Sequence, residues 1–122
     1  GPYLQYMGAR ISSILRKAHD AGVEADASGV ALLKGAEEWE LLKTLGEFPA
    51  LVARAAESLD PSIVANYLYA VSKAFSKFYQ TSPILSVEDK KLSGARLYLA
   101  KCTLTVLKNA MNLVLVQYLD KM

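Results

Sequence analysis

The chain has 122 residues, of which 52% are hydrophobic, and a formal net charge of +2. This length suits one domain, and the apolar content excludes a disordered tail, because such a chain buries a substantial core. The single cysteine, Cys102, excludes an internal disulfide, and no charged-then-apolar leader begins the chain, so we expect a cytoplasmic protein. Gly1 and Pro2 are typical of the remnant of a cleaved tag. We therefore treat residues 3–122 as the domain and expect an excised fragment of a longer protein.

The charge is distributed unevenly along the chain. Residues 1–61 carry six Lys or Arg against nine Asp or Glu, whereas residues 62–122 carry eight against three. No acidic residue occurs between Ser62 and Val87. A basic half of this kind favours a polyanion as partner.

Hydrophobic periodicity predicts two helices in the acidic half. The first runs from about Leu4 to His19, which places the only histidine at a helix C-terminus, where a cation is favoured. The small and polar segment from Val23 to Gly29 is predicted to be an exposed loop. A second helix is predicted from about Leu32 to Gly46. Its expected inward residues are Trp39, Leu42 and Leu45.

Proline and aspartate positions predict three further helices. Pro49 suits the first turn of a short third helix, and Asp60 suits the N-cap of a fourth helix that continues to about Gln80. A long fifth helix is predicted from about Glu88 to Val116. It is apolar on two sides, so it should form the centre of the bundle, and the charged and amide side chains inside it favour a buried helix over a membrane span. We therefore predict an all-α bundle of about five helices with a long central C-terminal helix.

Two adjacent aromatic residues, Phe78 and Tyr79, end the fourth helix. Phe78 continues an apolar stripe at spacings of three and four residues, so we assign it to the core. The other members of this stripe are Val64, Leu68, Val71 and Phe75. Tyr79 lies about 100° further round the helix, at the edge of the stripe. Periodicity leaves open whether Tyr79 is a surface ring or a platform on which bases stack.

The sequence shows no catalytic constellation. His19 has no serine or cysteine at a recognisable spacing, and Cys102 falls in the apolar stripe of the fifth helix, where we expect a small buried side chain. An acidic cluster in the second helix lacks the spacing of a metal site, and we expect it on a solvated face. Its members are Glu37, Glu38 and Glu40. No glycine belongs to a phosphate-binding loop, and we expect close packing at Gly8, Gly35 and Gly94.

Aromatic and basic residues share the polar faces of the last two helices. On the fourth helix this stripe contains Tyr69, Lys73, Ser76, Lys77 and Gln80. On the fifth it contains Tyr98, Lys101, Thr105, Lys108 and Asn112. Lysines hold phosphates while ring faces stack on unpaired bases, so the four lysines are secondary candidates for RNA binding. Plain solvated surface is the alternative interpretation of both stripes.

Three segments, taken in order, resemble the DALR-type anticodon-binding domain of arginyl-tRNA synthetases. The stretch "YLQYMGARISSILRKA" is similar to that family's first helix through Gln5, Tyr6, Ala9, Arg10, Ile11, Ser13 and Ile14. Residues 45–85 carry its Phe-Pro, Ala-Ala, Pro, Tyr-Leu and Phe-Tyr landmarks. "ARLYL" and "VLKNAMNLVLVQYLDKM" resemble its closing helix and terminal methionine. The chain departs from the family at Gly8, where a histidine is usual, and in the turn at its C-terminal end.

The resemblance implies a parent enzyme that joins arginine to its tRNA with ATP and Mg²⁺, in an upstream catalytic domain that this chain lacks. The fragment itself is then expected to hold no catalytic residue, cofactor or metal. It is expected to be a monomer that binds the anticodon loop of arginine tRNAs and contacts the upstream domain but no membrane. Position by position, the resemblance implies that the anticodon loop is contacted by Tyr6, Arg10, Tyr79 and Met122.

Each of these four residues has a structural alternative. Tyr6 and Tyr79 would cap the core with their hydroxyls in water. Arg10 would pair with a carboxylate such as Asp120, and Met122 would be a frayed end. The alternatives for the whole domain are a standalone helical module that binds a partner protein and the DALR domain of another synthetase. A small enzyme would need an active-site cluster that the sequence does not show.

Overall fold

The computed structural model describes residues 2–58 and 60–120. These residues form five α-helices and one short 3-10 helix, and they contain no β-strand. The elements in chain order are α1 (Pro2–Asp20), the 3-10 segment (Ala27–Leu32), α2 (Ala36–Gly46), α3 (Phe48–Ser58), α4 (Pro61–Thr81) and α5 (Lys90–Asp120). The prediction of an all-α bundle of five helices is therefore confirmed.

Aspartate side chains cap the first turns of the two longest helices. The Asp60 carboxylate accepts a hydrogen bond from the Ser62 amide at 3.0 Å, and Pro61 is the first residue of α4, as predicted. The Asp89 carboxylate accepts a hydrogen bond from the Lys91 amide at 3.0 Å and caps α5 in the same way. Both caps satisfy amides that have no partner inside the helix, so the helix beginnings are encoded locally.

The connection between α1 and α2 differs from its prediction as an exposed loop. Residues 27–32 form the 3-10 segment, which lies against α5, and α2 begins at Ala36 instead of Leu32. Gly29 in this segment is buried, and a Cβ atom there would lie 3.0 Å from the carbonyl oxygen of Lys91. The absence of a side chain at Gly29 therefore lets the segment approach the α5 backbone.

A second glycine, Gly94 of α5, lies against the residues just before the 3-10 segment. A Cβ atom at Gly94 would lie 2.9 Å from the Glu24 carbonyl oxygen, and the Gly94 carbonyl accepts a hydrogen bond from the Asp26 amide at 2.9 Å. The prediction of close packing at Gly94 is confirmed. It is wrong for Gly8, where an added Cβ would meet no atom within 4 Å.

The buried face of α2 is offset by one residue from the predicted face. Trp39 is 62% exposed, so its assignment to the core is wrong, and Leu42 and Leu45 are only half-buried. The buried residues of α2 are Glu38, Leu41 and Thr44. The expectation that Glu38 lies on a solvated face is also wrong, because its carboxylate pairs with Arg96 of α5. The side of α2 that faces the bundle is thus shifted by about 100° around the helix axis.

The hydrophobic core draws on all five helices. Its largest fully buried apolar side chains are Met7, Ile11, Leu41, Leu51, Val64, Val71, Phe75, Phe78 and Leu99. Phe78 has no exposed surface, which confirms its assignment to the core. Its neighbour Tyr79 is half-buried at the edge of the core. The two adjacent rings therefore differ in burial, as the helical period predicts.

The long helix α5 lies against α4, α1, α2 and the 3-10 segment, which confirms its central position. Cys102 on this helix is half-buried rather than fully buried. The last turns of α5 expose four large apolar residues, namely Leu115, Val116, Tyr118 and Leu119. Among the described residues, Lys90–Leu119 is the one helix long and apolar enough to cross a membrane by length and composition, a test that core helices also pass.

Candidate nucleic-acid interface

The centre of the candidate site is a contact between α1 and α4. The guanidinium carbon of Arg10 lies 4.9 Å from the centroid of the Tyr79 ring, within the range of a cation–π interaction. The Tyr79 ring also stacks on Phe75, with 6.0 Å between the ring centroids and 10° between the ring planes. Two neighbours therefore hold the ring in one orientation at the surface. The described partner of Arg10 is this ring, and the side chain of Asp120, the predicted alternative partner, lies outside the described residues.

A second aromatic contact joins the same two helices. The rings of Tyr3 and Tyr69 stack with 5.9 Å between centroids and 17° between planes. Tyr3 contacts Tyr69, and Arg10, later in α1, contacts Tyr79, later in α4. The helices α1 and α4 are therefore parallel where they touch. Tyr6, which is 62% exposed, lies three residues after Tyr3 and four before Arg10, so it shares their face of α1. We call this surface the α1–α4 seam, formed by Tyr3, Tyr6, Arg10 and Lys17 of α1 with Tyr69 and Tyr79 of α4.

A cleft of about 350 Å³ opens beside Tyr79 along this seam. Its other lining residues come from α1 and from the segment after α4, namely Ile14, Lys17, Pro83, Ile84, Leu85 and Ser86. Lys17 was not predicted as a site residue, although it follows Arg10 by seven residues, or about two helical turns, which places both on one face. The cleft thus combines apolar walls with a cation at its rim.

Two side chains of α5 bind the segment that forms one wall of the cleft. Arg96 Nη1 donates a hydrogen bond to the Pro83 carbonyl at 2.8 Å, and the Ser93 hydroxyl donates one to the Ile84 carbonyl. Arg96 Nε donates to a Glu38 carboxylate oxygen at 2.8 Å, and the two side chains are 14% and 4% exposed. Sequence reasoning missed Arg96. Arg96 lies four residues after Leu92 and three before Leu99, so it is a single cation on an apolar face of α5. This position was the sequence signal for a buried ion pair.

The four secondary candidates lie away from the Tyr79 ring. Lys73 and Lys77 are exposed and line shallow clefts on the α2 side of α4, next to Glu40. Lys101 lines a cleft between α1 and α5, and Lys108 is exposed about two turns further along α5. The structure therefore brings Tyr6, Arg10 and Tyr79 together but places these lysines on other faces. Met122 lies outside the described residues.

The electrostatic character of the seam follows from its two helices. Between them α1 and α4 contain a single carboxylate, Asp20, at the last position of α1. Basic side chains on the same helices are therefore not offset by acidic neighbours within the seam. Exposed rings beside cations are the combination that stacks on unpaired bases and holds phosphates. Within the described residues, no group of three or more histidine, cysteine or acidic side chains is arranged to hold a metal ion.

Comparison with known proteins identifies the family of the chain. The DALR anticodon binding domain family matches residues 4–122. Similar curated proteins are the arginine–tRNA ligases of Treponema denticola (57% identical), Treponema pallidum subsp. pallidum (48%) and Clostridium kluyveri (43%). Each match covers 100% of this chain but only 21%, 21% and 22% of the respective ligase, so the chain spans about a fifth of the length of these relatives. The chain belongs to the DALR anticodon-binding domain family.

Proposed function

We propose that this domain binds the anticodon loop of arginine tRNAs and positions the tRNA for ATP-dependent arginylation by another part of the same polypeptide. The observation that carries the proposal is the Arg10 guanidinium above the Tyr79 ring, next to a cleft that opens on the carboxylate-poor seam. The arginine–tRNA ligases that resemble the whole chain support arginine tRNA as the RNA.

The seam side chains suit an unpaired loop of RNA. Tyr79 and Tyr6 offer ring faces for stacking, which contributes about 1–3 kcal/mol per base. Arg10 has five N–H donors, and their fork matches a phosphate or the edge of a base. Lys17 at the rim of the cleft would add a phosphate contact. Met122 would add a flexible apolar contact.

The chemistry of arginylation belongs to other parts of the parent enzyme in this proposal. The sequence holds no glycine-rich phosphate loop, and the described residues hold no group of three or more metal-ligating side chains, which supports placing ATP and Mg²⁺ elsewhere in the parent enzyme. ATP and Mg²⁺ would be used in an upstream catalytic domain, which this domain would contact. The parent enzyme would act as a cytoplasmic monomer, and Lys73, Lys77, Lys101 and Lys108 would add contacts to more distant phosphates.

The proposal is tested by replacing the central ring. Tyr79→Ala should weaken binding of an arginine-tRNA anticodon stem-loop about 5- to 100-fold, measured by fluorescence anisotropy, because one stacked base is lost. Tyr79→Phe keeps the ring and should bind within about twofold of the unmodified domain. Trp39→Ala is the matched control, since Trp39 is an exposed aromatic residue on α2, outside the seam. Circular dichroism checks that each variant keeps its helices. Equal affinity of Tyr79→Ala and the unmodified domain would show that the site is wrong.

Two further measurements separate the proposal from its alternatives. RNA binding should weaken steeply with added salt, because lysine and arginine contacts release counterions from the phosphates. A module that binds a partner protein would show no dependence on salt or on anticodon sequence when challenged with RNA. A DALR domain of another synthetase would prefer a stem-loop with a different anticodon. The prediction is a preference for the arginine anticodon.

A further inference from the structure

The segment of residues 82–86 begins three residues after Tyr79, and its residues 83–86 form a wall of the cleft. Ser82 and Ile84 are buried, whereas Pro83 and Leu85 are exposed. The segment therefore alternates between side chains inserted into the bundle and side chains displayed at the surface. A change in its backbone path would change the shape of the cleft that adjoins the Tyr79 ring.

Helix α5 holds the backbone of this segment at two consecutive carbonyl groups. Arg96 Nη1 donates to Pro83 at 2.8 Å, and the Ser93 hydroxyl donates to Ile84. Ser93 is fully buried, so water competes weakly with its bond to Ile84. Arg96 is largely buried, but its bond to the exposed Pro83 lies at the surface. These two residues are three positions apart on α5, so they project from one face of the helix.

The Arg96 guanidinium is itself held by a carboxylate of α2. Its Nε donates to one carboxylate oxygen of Glu38 at 2.8 Å. The other oxygen of Glu38 accepts a hydrogen bond from the Gly35 amide at 2.8 Å, in the capping turn of α2. A planar guanidinium binds the carboxylate and the carbonyl in fixed relative directions, which a lysine ammonium does not reproduce. The contacts thus link the start of α2, through Arg96, to the wall of the cleft.

We propose that Arg96 is a positioning residue of the RNA site, which holds residues 82–86 in the shape that the anticodon loop requires. This inference rests on the proposed function of the seam. In this proposal Arg96 acts through the segment rather than on the RNA, because its Nε donates to Glu38 and its Nη1 to Pro83. It lowers the cost of binding by fixing the cleft wall before RNA arrives, since ordering a loop on binding reduces affinity.

The first test is Arg96→Lys, which keeps a cation next to Glu38 but removes the second arm that reaches Pro83. Affinity for the arginine anticodon stem-loop should fall about tenfold, the effect expected for loss of a charge-assisted hydrogen bond. Discrimination between this stem-loop and one with a changed anticodon base should fall as well. Hydrogen exchange at the amides of Ile84, Leu85 and Ser86 should become faster, while the core amides of α4 stay protected.

A second variant keeps the test decisive if Arg96→Lys does not fold. Ser93→Ala removes the neighbouring hydrogen bond to Ile84 without altering the ion pair, and it should also weaken RNA binding and speed exchange in residues 82–86. Tyr67→Phe is the matched control. It removes another buried hydrogen bond from a side chain to a backbone carbonyl, that of Tyr67 to Thr44, more than three turns of α4 away from Tyr79. RNA affinity should be unchanged in this control.

The outcomes separate this inference from the function on which it rests. If Tyr79→Ala weakens binding but Arg96→Lys and Ser93→Ala do not, Arg96 has no positioning role and the proposed function stands. If Tyr79→Ala also binds normally, both proposals are wrong. If Tyr67→Phe loses as much affinity as Arg96→Lys, the effect reflects general loss of stability and the positioning role is overturned.

Discussion

The hydroxyl of Tyr67 donates a hydrogen bond to the carbonyl oxygen of Thr44 at 2.7 Å, and this bond joins α4 to the end of α2. Thr44 lies in the last turn of α2, and its carbonyl oxygen also accepts a hydrogen bond from the amide of Glu47, just beyond the helix, at 3.2 Å. Tyr67 is 6% exposed, and its ring stacks on Phe48 with 5.9 Å between centroids. The phenol therefore acts as a C-terminal cap supplied by another helix.

We expect Tyr67→Phe to destabilise the domain by about 0.5–1.5 kcal/mol, the net contribution of one hydrogen bond, because the Thr44 carbonyl would keep only the Glu47 amide as donor. Urea denaturation followed by circular dichroism measures this change. The ring itself is retained, so the stacking on Phe48 should persist. A free energy of unfolding equal to that of the unmodified domain would show that the hydrogen bond contributes nothing.

The same residue predicts how stability changes at alkaline pH. Burial raises the pKa of Tyr67 from 10.0 to about 12, with the Glu47 charge adding to the shift. The folded state therefore favours the neutral phenol. The contribution of neutral Tyr67 to the free energy of unfolding is complete below pH 10 and is lost as pH rises from 10 to 12. In Tyr67→Phe the decrease in unfolding free energy over this range should be smaller. Parallel curves for the two proteins would contradict the assignment.

Burial predicts opposite results for two aromatic residues. Phe78→Ala should cost about 3–5 kcal/mol, because a fully buried ring is replaced by a cavity. Trp39→Ala should cost less than about 1 kcal/mol, since Trp39 is 62% exposed on α2. Thermal or urea unfolding of both variants tests the pair. If Trp39→Ala lowered the free energy of unfolding more than Phe78→Ala, α2 would pack against the bundle through the predicted face of Trp39, Leu42 and Leu45.

Two glycines inside helices should respond to alanine with opposite signs. Gly94→Ala should destabilise by about 1–3 kcal/mol, because its Cβ would lie 2.9 Å from the Glu24 carbonyl oxygen and 3.0 Å from the Asp26 Cβ. Gly8→Ala should stabilise by about 0.5–1 kcal/mol, since it gains helix propensity and meets no atom within 4 Å. Unfolding free energies of both variants check the contrast. A stabilising Gly94→Ala would indicate that residues 24–26 do not lie close to α5.

Arg10 should contribute to the salt dependence of RNA binding. Arg10→Met should lower the slope of log affinity against log salt by about 0.7, the value for one contact with a single-stranded phosphate. Arg54→Met is the control, because Arg54 is exposed on α3, outside the seam, and its slope should not change. The measurement is a series of binding curves with the stem-loop at increasing salt. Equal slopes for both variants would assign Arg10 a packing role on Tyr79 alone.

Much of the helix content could be predicted because its signals are local. The caps at Asp60 and Asp89 lie within a few residues of the amides that they bind. The burial of Phe78 follows from a single stripe of apolar residues on α4. The prediction for Trp39 was wrong because Trp39, Leu42 and Leu45 form the most apolar face of α2, whereas the face that is buried contains the carboxylate of Glu38. Hydrophobicity alone gives no reason to bury a carboxylate.

Only some residues of the candidate site could be predicted from the sequence. The resemblance to a known family picked out Tyr6, Arg10 and Tyr79, and the structure brings them to one seam. The spacing of seven residues places Lys17 on the same face of α1 as Arg10, but only the packing of α1 beside Tyr79 and residues 83–86 brings Lys17 to the cleft. Lys73 and Lys77 share a polar stripe on α4, as the helical period predicts. They line clefts beside α2, however, and α1 packs on a different side of α4.

Local signals were enough to predict five helices, the cap at Asp60 and the core position of Phe78, because each depends on residues within a few turns of one another. The resemblance to the family needed the order of three segments along the chain. Packing between distant elements set the rotation of α2, the approach of residues 24–26 to Gly94 and the hydrogen bond from Arg96 to the cleft wall. The Arg96 Nε and the Glu38 carboxylate meet across 58 residues of chain. A buried charge must find its partner wherever the fold brings one, so packing between distant elements decides which face each helix presents.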